Sequence, residues 1–141
     1  MRAILTAALL ALPMPALAGE MTTRAYDGSF EDAVFSVESA IVGAGLKIDY
    51  HGYIGDMLTR TGADVGSDAV IFEDAEFFTF CSAALSREVM EADPGNIAYC
   101  PYTIHVMQRD GAVEVGFRTF PAGEMQKIQA LLEGIVDAAM E

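Results

Sequence analysis

Cys81 and Cys100 are the two thiols of this chain, and His51 and His105 are its two imidazoles. With the thioether of Met107 and the phenol of Tyr102, they are the side chains through which chemistry would enter. In an oxidising compartment the thiols close into a disulfide; elsewhere they persist as buried free thiols, or as a redox or metal pair. A helix out and a strand back would bring Cys100 to Cys81, and closing a loop of about twenty residues stabilises by about 3 kcal/mol in the chain-entropy picture. A thioredoxin-type centre fits poorly, because there is no Cys-x-x-Cys and no lysine near either cysteine. The start of the helix after Cys81 would nevertheless lower its pKa.

Thiolate, imidazole and thioether are also the ligands of mononuclear copper sites. Cys100, His105 and Met107, with Cys81 as a fourth, therefore form a candidate metal set. Strand parity opposes it: in a regular strand Cys100 faces the core while His105 and Met107 face away, unless Pro101 breaks the alternation. A looser set joins His105 and Met107 to His51. The preferred reading needs no cofactor and makes His51, Tyr102, His105 and Met107 a contact surface for a ligand or partner, on the odd-numbered sheet face beside Gly52–Asp68.

Other chemistries find less support. Ser82 and Ser86 sit in no glycine-flanked elbow, and neither histidine is tied by sequence to a serine, so acyl transfer is not indicated. Glu73, Asp74 and Glu76 precede a strand, and Glu91 and Asp93 end a helix, both ordinary places for solvated or capping carboxylates. Gly43-Ala44-Gly45 is a helix exit, not a phosphate-cradling entry.

The elements that must position these residues follow from hydrophobic periodicity. Glu20–Tyr26 reads as an opening strand. Ser29, three residues ahead of Asp32, caps a helix over 29–43 whose stripe is Phe30, Ala33, Val34, Val37, Ile41 and Ala44. Leu46, Ile48 and Tyr50 alternate with Lys47, Asp49 and His51 as a half-buried strand. Gly52–Asp68 is irregular, with a single helical turn near Asp56–Arg60. Phe77–Cys81 is a strand and Ser82–Ala92 a helix, stopped at Asp93-Pro94-Gly95. Ile97–Arg109 and Ala112–Phe120 are strands joined by Asp110-Gly111, a type I′ hairpin pair. That turn sets Arg109 opposite Ala112, Gln108 opposite Val113, Val106 opposite Val115 and Ile104 opposite Phe117. A last helix spans Gly123–Met140, with Met125, Ile128, Leu132, Ile135 and Ala139 as its stripe. The order β-α-β-(α)-β-α-β-β-α describes an α+β two-layer sandwich, with helices on one face of a mixed or antiparallel sheet.

Several blocks carry a resemblance: Phe80-Cys81-Ser82-Ala83, Leu85-Ser86-Arg87, Met90-Glu91-Ala92-Asp93-Pro94, Asn96-Ile97 and Cys100-Pro101-Tyr102, with Ser29-Phe30-Glu31-Asp32-Ala33 near the start. Together they resemble the domain-of-unknown-function-302 (DUF302) family from about Tyr26 to Phe120. The resemblance implies a compact α+β domain able to dimerise, with no established biochemical role and no catalytic residues to carry over.

Composition bounds the rest. The chain has 141 residues, 8 basic against 21 acidic side chains and a formal charge of -13. Arg2, the apolar run Ala3–Leu12, Pro13, Pro15 and Ala16-Leu17-Ala18 have the layout of a signal peptide cleaved after Ala18. That leaves a single domain, residues 19–141, expected to be free in the periplasm or secreted. The run is too short to span a bilayer. The acidity excludes nucleic acid as a natural partner and keeps the surface solvated. The expectation is an exported, non-enzymatic module that binds a small molecule, a periplasmic protein or a second copy of itself. The alternative is a thiol-redox or copper-handling protein centred on Cys81 and Cys100.

Overall fold

The computed structural model describes residues 20–141, so the leader expected over residues 1–18 lies outside the described residues. Its elements are β1 (Met21–Tyr26), α1 (Phe30–Gly43), β2 (Ile48–Gly52), α2 (Ile54–Thr61), β3 (Asp74–Phe80), α3 (Ala83–Ala92), β4 (Tyr102–Arg109), β5 (Ala112–Arg118) and α4 (Gln126–Ala139). This is the expected order. The strands form one antiparallel sheet in the order β1-β5-β4-β3-β2.

The hairpin stands as the turn dictates: Arg109 faces Ala112, Gln108 faces Val113, Val106 faces Val115 and Ile104 faces Phe117. Asp110 and Gly111 have φ of 53° and 76°, the positive pair a type I′ turn requires. Alternation then puts Ile104, Val106, Val113, Val115 and Phe117 inside, all buried.

That inner face is covered by α1 and α4, which also pack on each other. The Ser29 hydroxyl accepts from the Asp32 amide at 3.0 Å and starts α1, satisfying one of the free donors of a helix N-terminus. Phe30, Ala33, Val37 and Ile41 of α1 and Ile128, Leu132, Ile135, Val136 and Ala139 of α4 are buried. Gln129 is the one buried polar side chain among the described residues. Its Oε1 accepts from the Phe120 amide at 3.0 Å, a donor that β5 no longer pairs. At one end α3 closes the core with buried Val89, and at β1 the Arg24 guanidinium pairs with Asp137 of α4.

Three local expectations are corrected. Residues 97–100 are not strand, because Pro94–Tyr99 forms a 3-10 segment. The Asp93 carboxylate accepts from the Gly95 amide at 2.8 Å and Asn96 donates to the Val89 carbonyl at 2.8 Å; such local bonds compete with a ladder. Gly52–Asp68 holds a two-turn helix rather than one turn, followed by a 3-10 segment Ala63–Val65. Gly55 admits it: a Cβ there would lie 2.6 Å from the Ala75 amide nitrogen. In β2 the register slips between Ile48, opposite Phe80, and Tyr50, opposite Thr79. The bulge inverts the alternation beyond it, leaving Tyr50 exposed and His51 half-buried.

Candidate functional site

Phe80 pairs with Tyr102, so the chain leaves β3 at Cys81 beside the point where it enters β4 after Cys100 and Pro101. The two sulfurs stand 2.9 Å apart, both partly exposed. The route differs from the expected strand return, yet the end point is the same. Burial pushes the Cys81 thiol up to about 12, reinforced by the hydrogen bond and charge of Cys100 and by the charge of Asp49; a backbone hydrogen bond at Tyr102 pulls the other way. The expected lowering by the helix start is therefore overturned. The Ser82 hydroxyl accepts from the Leu85 amide at 3.4 Å and caps α3, while desolvation is the largest effect at the sulfur.

The four residues read as one contact surface are separated. Tyr102 lies in the core, 1% exposed, its hydroxyl 3.0 Å from the Ser86 hydroxyl. Even parity on β4 puts it there, and burial raises its pKa. His51, after the bulge, pairs with Phe78 on the helix-covered side of the sheet and stacks on that ring at 4.2 Å. Only His105 and Met107 share the outer face, opposite Phe77 and Ala75 of β3. The looser metal set of His51, His105 and Met107 therefore cannot converge. Among the described residues no three His, Cys, Asp or Glu side chains are grouped to hold a metal ion.

Two arrangements escaped the sequence reading. His51 Nε2 lies 2.5 Å from Glu76 Oε2, and the Tyr53 hydroxyl is 3.5 Å from Nδ1. The parity of β3 puts Glu76 on the face of Phe78, a signal that was present; the bulge that brings His51 round was not. On the outer face Phe77 links Tyr50, at 5.8 Å between ring centroids, to His105 at 5.9 Å. Gly52 makes room for this row, since a Cβ there would meet the Phe77 ring at 2.3 Å. Burial lowers the His105 pKa against a backbone hydrogen bond to Gly116, with Arg118 adding to the lowering. Its Nδ1 is buried without a hydrogen-bond partner.

The family model "Domain of unknown function DUF302" matches residues 21–139. The chain belongs to the DUF302 family. A solved structure, the crystal structure of an uncharacterized conserved protein DUF302 from Bacillus stearothermophilus, superposes on this DUF302 chain with a TM-score of 0.59 at 16% identity. It covers 84% of this chain and 89% of that one, and shows the α+β fold to be shared. No curated protein matches. In this DUF302 domain the stretch 50–71 presents apolar side chains on its surface. Of ten large apolar side chains exposed among the described residues, Tyr50, Tyr53, Met57, Val65, Val70 and Ile71 fall within one stretch of chain.

Proposed function

We propose that this DUF302 chain is an exported, non-enzymatic binding module whose contact surface is the outer sheet face at Tyr50, Phe77, His105 and Met107, extended by exposed apolar side chains of the 53–71 segment that follows β2. One observation supports the reading: the outer aromatic row of Tyr50, Phe77 and His105 is followed in the chain by residues 53–71, which hold five of the ten large apolar side chains exposed among the described residues. Clustering of that kind marks interaction surfaces, whereas scattered apolar residues do not. The surface suits a periplasmic protein partner, and export rests on the leader-like start of the sequence. A photo-crosslinking residue placed at Tyr50 should yield a discrete adduct in the periplasm, one at Arg87 none, and Met107→Asp should abolish the Tyr50 adduct. If Met107→Asp and His105→Ala leave every association unchanged, the surface is the wrong one.

The sulfur contact of 2.9 Å favours a second reading, in which Cys81 and Cys100 handle electrons or a metal. A thiol held near 12 is a poor nucleophile at neutral pH, so the pair suits a structural bridge better than an exchanging one. Normal cellular function of a Cys81→Ser, Cys100→Ser double variant would end the redox reading.

A further inference from the structure

Where the 3-10 segment runs into β4, the domain has a hollow of about 280 Å³ whose walls include Tyr99, Cys100, Thr103, His105, Arg118 and Phe120. We propose that this hollow is a binding site for a small organic anion, a monocarboxylate with an apolar body, held by the Arg118 guanidinium.

Arg118 stands out by its place: Lys47, Arg60 and Arg109 are likewise without an ion pair among the described residues, but Arg118 lines a hollow free of carboxylates. Acidic side chains outnumber basic ones by 21 to 8, and Arg24, Arg87 and Lys127 are each matched by a carboxylate. Arg118 makes no ion pair among the described residues, and no Asp or Glu lines the hollow. Other hollows differ in this respect. The one of about 460 Å³ between Asp93 and Glu124 is lined by carboxylates without a base. The one at Arg24 includes Asp27 and Glu141, and its arginine is already paired with Asp137. An unpaired guanidinium presents a planar fork that matches a carboxylate.

The remaining walls select the rest of the ligand. Tyr99 and Phe120 form an aromatic pair, 5.9 Å between centroids, and Phe120 also meets the Tyr102 ring at 6.0 Å. Of these the half-buried Tyr99 ring offers an apolar side to the ligand body, backed by the buried Phe120 and Tyr102, while the Thr103 hydroxyl and the His105 ring add polar contacts. His105 is kept neutral by its burial and so adds no second charge, which fits one carboxylate better than two. The volume lies at the lower edge of the range for small-molecule sites, roughly 300–1,000 Å³, which limits the occupant to something near the size of one aromatic ring.

This site rests on the reading of the chain as a binding module; it shares His105 with the Tyr50–Met107 surface but is centred on Arg118, Tyr99 and Phe120, which that surface does not use. The test is titration of the labelled protein with benzoate, followed by NMR at the His105 ring and the Thr103 amide. Benzyl alcohol serves as the uncharged control. Saturable shifts at both positions with benzoate, absent with benzyl alcohol, are expected. Arg118→Gln should weaken benzoate at least tenfold, Arg118→Lys should recover part of the affinity, and Arg60→Gln should leave it unchanged. Equal binding of the alcohol, equal affinity in Arg118→Gln, or no shift at His105 overturns the proposal. Benzoate failing while the Tyr50 adduct survives removes the anion site alone; loss of the adduct reading with benzoate binding intact removes only the contact surface.

Discussion

His51 and His105 lie on opposite faces of one sheet: His51 pairs with Phe78 and stacks on its ring, whereas His105 stands across from Phe77. One strand separates them, yet the sheet itself lies between the two imidazoles. Each therefore answers to its own neighbours, Glu76 for His51 and Arg118 with Gly116 for His105.

His105 gives a signed pH dependence. Its folded pKa is lowered from 6.5, so as pH falls the unfolded chain takes up the proton first. Its contribution to stability is full above about 6.5 and declines as pH drops below that value. Urea midpoints measured between pH 7.5 and 5.5 should fall in the wild type and fall less in His105→Gln. Parallel curves would mean that His105 is not the group responsible, since His51 and the carboxylates are present in both proteins.

Cys81 and Cys100 should act as a bridge in protein recovered from an oxidising compartment. Adding reductant is expected to lower the unfolding free energy by about 3 kcal/mol. The double serine variant should not respond to reductant. An equal response in both proteins would place the effect elsewhere.

Tyr102→Phe separates a core role from a surface one. Loss of the hydroxyl leaves the Ser86 hydroxyl without its partner at 3.0 Å and should cost about 1 kcal/mol in chemical denaturation. Crosslinking from Tyr50 should be unaffected, because Tyr102 is in the core.

Two glycines should respond in opposite directions. Gly55→Ala drives a Cβ to 2.6 Å from the Ala75 nitrogen and should destabilise by about 1–3 kcal/mol as α2 is forced off β3. Gly134 lies inside α4 with nothing within 4 Å of an added Cβ, so Gly134→Ala should stabilise by about 0.5–1 kcal/mol. Thermal unfolding of both variants checks the pair.

The sequence was legible where local chemistry and side-chain pattern agreed. Asp110-Gly111 carried the turn and thereby the whole register of β4 and β5, and Ser29 with Asp32 marked the start of α1. The site was less legible because its residues depend on tertiary detail. The slip between Ile48 and Tyr50 leaves no trace in hydrophobic alternation, yet it decides the face on which His51 lies. Ile97–Cys100 looks β-prone, but Asp93 and Asn96 bond to nearby backbone and tighten it into a 3-10 segment. Tyr102 was grouped with His105 by residue type, although its even position on β4 already pointed inward.

Thr22 of β1 and Thr119, just beyond β5, place their hydroxyls 3.0 Å apart although 97 residues separate them. The first strand of the sheet thus has no ladder until nearly the whole chain exists, and closing so long a segment costs more entropy than closing the hairpin at Asp110-Gly111. Folding should therefore begin from β4 and β5 and finish with β1. The same order gives the edge at Met21–Tyr26 the shortest hydrogen-exchange lifetimes in the sheet and the innermost strand β4 the longest.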